Sequence, residues 1–136
     1  MTGEGPALEH ALRVLRHRDR SVRELDERLR LNGFSGPECE QAIATLLRTG
    51  LLDDRRFAEA RAVSLAERGA GDALIRHRLE SVGVASEIVD DALLAVPPEV
   101  ERARLVLSRR GGGPATARYL AAKGFSEDVL DSLLTD

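Results

Sequence analysis

Two adjacent acids, Asp53 and Asp54, are of the residue type that acid–base catalysis uses. A pair of carboxylates works as general acid and base only when both reach the same reacting group. Adjacent side chains at the start of a helix diverge instead, and an acid at that position caps the helix and interacts favourably with its dipole. We therefore interpret the pair as the beginning of a helix rather than as a catalytic pair.

The other residues with chemical potential are isolated from one another. His10, His17 and His77 have no cysteine or carboxylate partner at the spacing of a metal site. The single cysteine, Cys39, excludes a disulfide within the chain. Ser21 belongs to no recognisable Ser–His–Asp arrangement. The sequence therefore predicts a protein that is not an enzyme and that holds neither a metal ion nor a cofactor.

Arginine dominates the basic side chains. The chain has 20 basic and 23 acidic residues, a formal net charge of −3, and only one lysine, Lys123. Non-specific binding of nucleic acid depends on phosphate neutralisation, so a net-acidic chain is not a general nucleic-acid coat. Arginine nevertheless suits bidentate pairing with phosphates and carboxylates on a local surface.

Two interpretations of the arginines stay open. Arg20 with Glu24 and Arg23 with Glu27 are four residues apart, which is the spacing of ion pairs on a helix surface. Alternatively, the arginines form a basic ridge that contacts phosphates or an acidic protein surface. The candidates for such contacts are Arg13, Arg16, Arg20, Arg23, Arg30, Arg55, Arg56, Arg61, Arg76 and Arg78.

The composition predicts an all-α protein. Apolar residues make up 43 % of the chain, and they are mostly Leu, Ala and Val, while Arg and Glu are the commonest charged residues. Few stretches alternate as a half-buried strand would.

No apolar run approaches the roughly 20 residues of a membrane span, and residues 1–6 lack the features of a signal peptide. We expect a cytoplasmic protein.

One short pattern occurs three times. In each case a Leu is followed four residues later by Gly and then directly by an apolar residue. This pattern is typical of a helix that ends at a glycine in the left-handed conformation, with the next apolar side chain folded back onto the helix. The three copies are Leu29, Gly33 and Phe34; Leu79, Gly83 and Val84; and Leu120, Gly124 and Phe125.

Each of these helix ends lies between two further helical segments, so the sequence predicts three tandem three-helix repeats at 7–52, 53–96 and 99–136. Ser21 with Glu24 forms a capping-box pattern in the first repeat, and Asp72 is expected to cap the corresponding helix of the second. Small units that stack on one another give an elongated, curved arrangement. A single compact helical bundle is the alternative.

The segment that joins the first two repeats resembles the RecX regulatory family. Residues 51–58 read Leu-Leu-Asp-Asp-Arg-Arg-Phe-Ala, which is similar to that family's Leu-Asp-Asp, basic step and Phe-Ala. Residues 18–29 and 71–84 are similar to further family elements. The residues that carry the signature, to which we assign structural roles with Phe57 in the core, are Leu52, Asp53, Asp54, Phe57 and Ala58.

The resemblance implies a function as well as tandem three-helix repeats. Members of the family bind RecA–DNA filaments and inhibit strand exchange, ATP hydrolysis and coprotease activity without catalysing a reaction. The expected partner is therefore the RecA filament, with single-stranded or duplex DNA as a possible second contact, and we expect a monomer. The third repeat lacks a counterpart of the Asp-Asp and Phe-Ala signature and carries the run Gly111–Gly113 instead.

A rival interpretation comes from residues 22–52, whose apolar and glycine spacing also occurs in helix-turn-helix modules. A sequence-specific DNA-binding regulator would have this pattern. A strand-forming wing does not follow Leu52, however, and the pattern returns in two later repeats. The sequence therefore favours the protein-binding regulator over the DNA-reading one.

Overall fold

A computed structural model describes residues 5–134, except for the side chain of Leu134. This part of the chain is entirely helical, which confirms the all-α prediction. None of its helices is long and apolar enough to cross a membrane. The helices are α1 (Pro6–His17), α2 (Val22–Leu31), α3 (Gly36–Arg48), α4 (Asp54–Glu67), α5 (Asp72–Ser81), α6 (Ser86–Leu94), α7 (Glu99–Arg110), α8 (Pro114–Ala122) and α9 (Glu127–Leu134).

The three repeated glycines end helices α2, α5 and α8 as predicted. Gly33, Gly83 and Gly124 have φ angles of 90°, 90° and 91°, a region that favours glycine. In each copy the amide of the following apolar residue donates a hydrogen bond to the carbonyl of the repeated Leu, at 3.3, 3.1 and 3.1 Å. The pattern therefore forms the same helix stop three times.

The helix starts agree with the sequence in most places. Ser21 with Glu24 and Ser35 with Glu38 both form complete capping boxes. The prediction that Asp72 caps α5 is wrong, because Gly71 occupies the cap position and Asp72 is the first helical residue. The side chain of Asp72 bonds instead to an arginine of the third unit, described below.

The nine helices of the described part of the chain form three consecutive units, α1–α3, α4–α6 and α7–α9, and the most extensive helix–helix contacts pair helices of the same unit. Each unit has its own cluster of buried apolar residues. The fold is therefore one of tandem three-helix repeats, although the residue boundaries given above stay a prediction. The third cluster is the smallest, with Ala103, Leu120 and Phe125 at its centre.

Candidate functional site

The signature segment connects the first unit to the second. Leu52 is buried in the core of the first unit. The carboxylate of Asp53 accepts hydrogen bonds from the amides of Arg55 and Arg56, at 2.9 and 3.1 Å, and so caps α4. Asp53 thus performs the capping role that the sequence indicated.

Asp54 has a different role, which the sequence did not reveal. Its Oδ1 accepts a hydrogen bond of 2.8 Å from the amide of Val22, the first residue of α2 in the neighbouring unit. Burial raises the pKa of the Asp54 carboxyl, and the hydrogen bond from Val22 opposes that shift. The two acids therefore act at two separate helix starts, which does not fit a shared catalytic centre.

Phe57 and Ala58 complete the signature in the core of the second unit. Both side chains are buried, and they pack with Leu65, Ile75 and Leu79. The prediction that Phe57 is a core residue rather than an exposed anchor is confirmed. The whole signature is accordingly explained by folding and by the attachment of one unit to the next.

Five of the ten candidate arginines form ion pairs with carboxylates. Paired side chains of this kind on the surface contribute little to stability, but they are also less available to a partner. The pairs are Arg23 with Glu27 at 3.7 Å, Arg30 with Asp26 at 2.9 Å, Arg55 with Asp91 at 2.6 Å, Arg56 with Asp19 at 3.8 Å, and Arg76 with Glu80 at 3.2 Å and with Asp90.

Two of these paired arginines also hold the backbone together. The guanidinium of Arg56 donates to the carbonyls of Gly50 and Leu51, at 2.8 and 3.2 Å, where the chain leaves the first unit. Arg23 donates to the carbonyl of Ser81 in the second unit. Substitution of Arg23 or Arg56 would therefore disturb the fold as well as any contact surface.

Within the described part of the chain, the other five candidates make no ion pair: Arg13, Arg16, Arg20, Arg61 and Arg78. Arg13, Arg16 and Arg78 are exposed to solvent, and Arg20 and Arg61 are partly buried. These five cations carry positive charge that no carboxylate of residues 5–134 neutralises by direct contact.

Arg20 belongs to a cluster of arginines, with Arg18 and Arg28 nearby and the acidic Glu24 beside them. Burial lowers the pKa of its guanidinium, and the positive charges of Arg18 and Arg28 lower it further. Its Nε is buried and has no hydrogen-bond partner among the described residues. The Arg20–Glu24 ion pair that the spacing indicated is absent, because Glu24 bonds instead to Arg18 at 3.4 Å and to the amide of Ser21.

This cluster reaches the second unit. A groove of about 200 Å³ separates the α1–α2 loop from α4, and Arg18 and Arg61 line its two sides. We call Arg18, Arg20, Arg28 and Arg61 the junction cluster. Arg18 and Arg28 were missing from the candidates chosen by sequence. The four-residue spacing from Arg20 to Glu24 and Arg28 was the signal that could have found Arg28.

Cys39 and His10 lie in the first unit, whereas His17 and His77 are exposed to solvent. Cys39 is buried, its thiol lies 3.7 Å from the carbonyl oxygen of Phe34, and burial raises the pKa of that thiol. The His10 ring packs against the Phe34 ring with a centroid separation of 5.8 Å. Among the described residues, three or more His, Cys, Asp or Glu side chains are nowhere grouped as they would be to bind a metal ion.

Two models of protein domains match this chain. A family model described as "RecX, first three-helix domain" matches residues 7–46, and one described as "RecX, second three-helix domain" matches residues 53–93. Together they cover more than half of the chain. This chain belongs to the RecX family. The resemblance stated from the residues of the signature is thereby confirmed.

Proteins called "Regulatory protein RecX" resemble the chain over most of its length. The one from Halorhodospira halophila is 34 % identical over 88 % of this chain and 81 % of its own, and the one from Trichlorobacter lovleyi is 30 % identical over 90 % of both chains. The crystal structure of RecX from Lactobacillus salivarius has the same fold, with a TM-score of 0.81, 22 % identity, and coverage of 95 % of this chain and 92 % of its own.

The third unit lies outside both matched RecX domains, yet it has residues at positions equivalent to those of the signature. Glu99 is the first residue of α7, as Asp54 is of α4, and Arg102 and Ala103 stand where Phe57 and Ala58 stand. Like those two residues, Arg102 and Ala103 are buried. The Asp-Asp and Phe-Ala residues themselves do not occur in the third repeat, as the sequence indicated, but Glu99, Arg102 and Ala103 occupy the equivalent positions. This equivalence is hidden in the sequence because Glu replaces Asp and Arg replaces Phe.

Proposed function

We propose that this RecX-family chain binds the RecA–DNA filament and restrains the recombinase, ATPase and coprotease activities of RecA. The observation that carries the proposal is the presence of both RecX three-helix domains, in order, in one chain. Relatives of similar length are called regulatory proteins. RecA is the partner that the resemblance to the family implies. We further propose that the chain acts as a monomer in the cytoplasm.

We propose that the chain acts by binding rather than by catalysis. Asp53 and Asp54 are already engaged by helix amides, so neither is free to serve as a general base. The surface offers instead a set of guanidinium groups that have no carboxylate partner among residues 5–134. Such groups recognise phosphates and carboxylates by bidentate hydrogen bonds, which suits a filament made of protein and DNA.

The unpaired arginines are the first choice for the contact surface. A partner that binds Arg30, Arg55 or Arg76 must first displace a carboxylate of this chain, whereas one that binds Arg13, Arg16 or Arg78 need not. In the junction cluster, Arg20 has the like charges of Arg18 and Arg28 close by, and an anion beside Arg20 would relieve their repulsion, whereas Arg18 is already paired with Glu24. Phosphates of the filament DNA are suitable anions for that position.

The test is RecA-catalysed ATP hydrolysis on single-stranded DNA with this protein added at substoichiometric amounts. We expect strong inhibition by the wild type and a loss of potency of about tenfold or more when Arg13, Arg16 and Arg78 are changed to Glu, because each reversal replaces an attraction with a repulsion. The matched control changes the exposed Arg104, Arg109 and Arg118 of the third unit to Glu, which alters the net charge equally.

The results for the variants test the contact surface, and the result for the wild type tests the assignment to RecA. Weaker inhibition in the first variant, with potency retained in the control, supports a basic contact surface on the first two units. An absence of inhibition by the folded wild-type protein at equimolar amounts would overturn the assignment to RecA. A sequence-selective shift of duplex DNA without RecA would then favour the helix-turn-helix alternative, although in this structure α3 is followed by α4 and not by a strand.

A further inference from the structure

The N-terminus of α2 meets the C-terminus of α5, and the contact joins the first unit to the second. The hydroxyl of Ser21, the cap residue of α2, donates a hydrogen bond of 2.6 Å to the carbonyl of Val82, the residue that ends α5. Beside it, the Val22 amide donates to Asp54, and Arg23 donates to the carbonyl of Ser81. We call this contact joint 1.

The N-terminus of α5 meets the C-terminus of α8 in the same way, and this second contact joins the second unit to the third. The amide of Gly71, the cap residue of α5, donates a hydrogen bond of 2.7 Å to the carbonyl of Lys123, the residue that ends α8. The Asp72 amide donates to Oε2 of Glu99 at 2.7 Å. We call this contact joint 2.

The two joints use equivalent positions. Val82 and Lys123 each lie three residues after the repeated Leu of their own unit, and Asp54 and Glu99 are each the first residue of the unit's first helix. In both joints that carboxylate accepts a bond from the first amide of the preceding unit's second helix. The chain thus builds the same connection twice, with only partly similar side chains.

The physical basis is the pairing of helix ends that would otherwise lack partners. The first amides and the last carbonyls of a helix have no hydrogen-bond partner within it. In each joint a carbonyl at the end of one helix accepts a bond at the start of another, and the opposed ends of the two dipoles attract. A carboxylate beside the amide end of α2 or α5 adds to this attraction.

The joints also require close approach. A Cβ atom on Gly83 would lie 2.6 Å from Cβ of Arg23, and one on Gly124 would lie 2.6 Å from the backbone nitrogen of Leu74. A Cβ atom on Gly71 would overlap the backbone of Gly124 and Phe125. The φ angle of Gly71 is −81°, which alanine also adopts, so the glycine there is required by space and not by conformation.

We propose that Asp54 and Glu99 are positioning residues that fix successive units in one register, and that this register is what lets the units engage successive subunits of a regularly repeating partner. This inference rests on the proposed function, in which the partner is a helical filament. Such a filament presents identical sites at constant spacing. At both joints a carboxylate accepts a hydrogen bond from the first amide of the preceding unit's second helix, so the second and third units are attached to their predecessors through one equivalent contact. The contribution of Asp54 and Glu99 to binding is thus indirect, through the orientation of the units.

The experiment measures distances between spin labels in the full chain with Cys39 changed to Ala. Labels on Gln41→Cys and Glu87→Cys report on joint 1, and labels on Glu87→Cys and Arg118→Cys report on joint 2, since all three positions are exposed. We expect Asp54→Ala to make the distance distribution across joint 1 about twice as broad, as for a released hinge. The distribution across joint 2 should stay unchanged.

The same comparison applies to joint 2. Glu99→Ala should broaden only the distribution across joint 2, and Gly71→Ala should do so independently, through steric overlap. Asp54→Asn and Glu99→Gln are the matched controls, because each keeps an oxygen that can accept the amide hydrogen bond. Distributions as narrow in Asp54→Ala and Glu99→Ala as in the wild type would overturn the positioning role.

Inhibition of RecA is the second readout. Asp54→Ala should inhibit about tenfold less potently than Asp54→Asn, which corresponds to a loss of 1.4 kcal/mol in binding free energy. The helicity of Asp54→Ala should stay that of the wild type. Equal potency despite a broadened distribution would overturn the link between register and binding. If the wild type does not inhibit RecA, the proposed function fails, whereas the distances still decide the role of the joints.

Discussion

Arg102 allows a quantitative test of how the third unit is attached. Its side chain is 8 % exposed, and it donates to the carbonyls of Ala70 and Pro97, at 2.7 and 2.9 Å, and to the carboxylate of Asp72. It also lies over the Phe125 ring, 5.8 Å from the centroid. Replacement by alanine removes all four contacts at once.

The expected cost follows from the partners left behind. A buried carbonyl that loses its donor costs roughly 1–3 kcal/mol, and Arg102→Ala leaves one such carbonyl, that of Ala70, together with the partly buried carbonyl of Pro97. The Asp72 side chain is 41 % exposed, so water compensates part of its loss. We expect Arg102→Ala to destabilise the third unit by about 2–4 kcal/mol, most of it from the buried carbonyl of Ala70.

Native-state hydrogen exchange is the appropriate assay, because the three units have separate cores and a single unfolding midpoint would average them. Amides of α7, α8 and α9 should lose protection in Arg102→Ala, while those of α1–α3 keep theirs. The exposed Arg104, two residues along the same helix, is the control, and Arg104→Ala should change stability by no more than about 0.5 kcal/mol. A loss under about 1 kcal/mol for Arg102→Ala would refute the reasoning.

Three further outcomes are expected. Ser35→Ala should cost about 1 kcal/mol. Hydrogen bonds from Ser35 hold the pKa of Glu38 below 4.5, so the same substitution should raise that pKa. In the wild type, the stabilisation by Glu38 should be lost as pH falls through the lowered pKa, as an NMR titration combined with urea unfolding would show. Burial raises the pKa of Asp54 above 3.8, so ionisation of Asp54 should cost stability as pH rises from 3.8 through the raised pKa. Denaturant titrations at several pH values should show that Asp54→Asn flattens the stability curve between these two pH values. Cys39 should react with a thiol reagent far more slowly in the native protein than in urea, since burial both shields the thiol and raises its pKa; equal rates would contradict its place in the core.

Much of the local structure was determined by the sequence. The three Leu and Gly pairs ended helices where predicted, because a left-handed glycine with a following apolar residue needs only its own helix. Ser21 with Glu24 formed the expected capping box for the same reason. The RecX signature around Asp53 and Phe57 was recognisable because it is contiguous.

The tertiary structure decided the contacts that depend on how separate segments of the chain lie against one another. Asp54 bonds to Val22, 32 residues away, and Glu24 pairs with Arg18 and not with Arg20, the partner that the four-residue spacing favoured. Neither choice follows from helical periodicity, since both depend on how the α1–α2 loop lies against its neighbours.

The third unit shows the same division. Its helices could be predicted from local signals, but the equivalence of Glu99 with Asp54 became visible only when both carboxylates were seen to accept a bond from the first amide of the preceding unit's second helix. A hydrogen bond constrains the position of an oxygen atom and not the identity of the residue that supplies it. Sequence therefore specified the three units and their helices, whereas folding alone determined which residues hold one unit to the next.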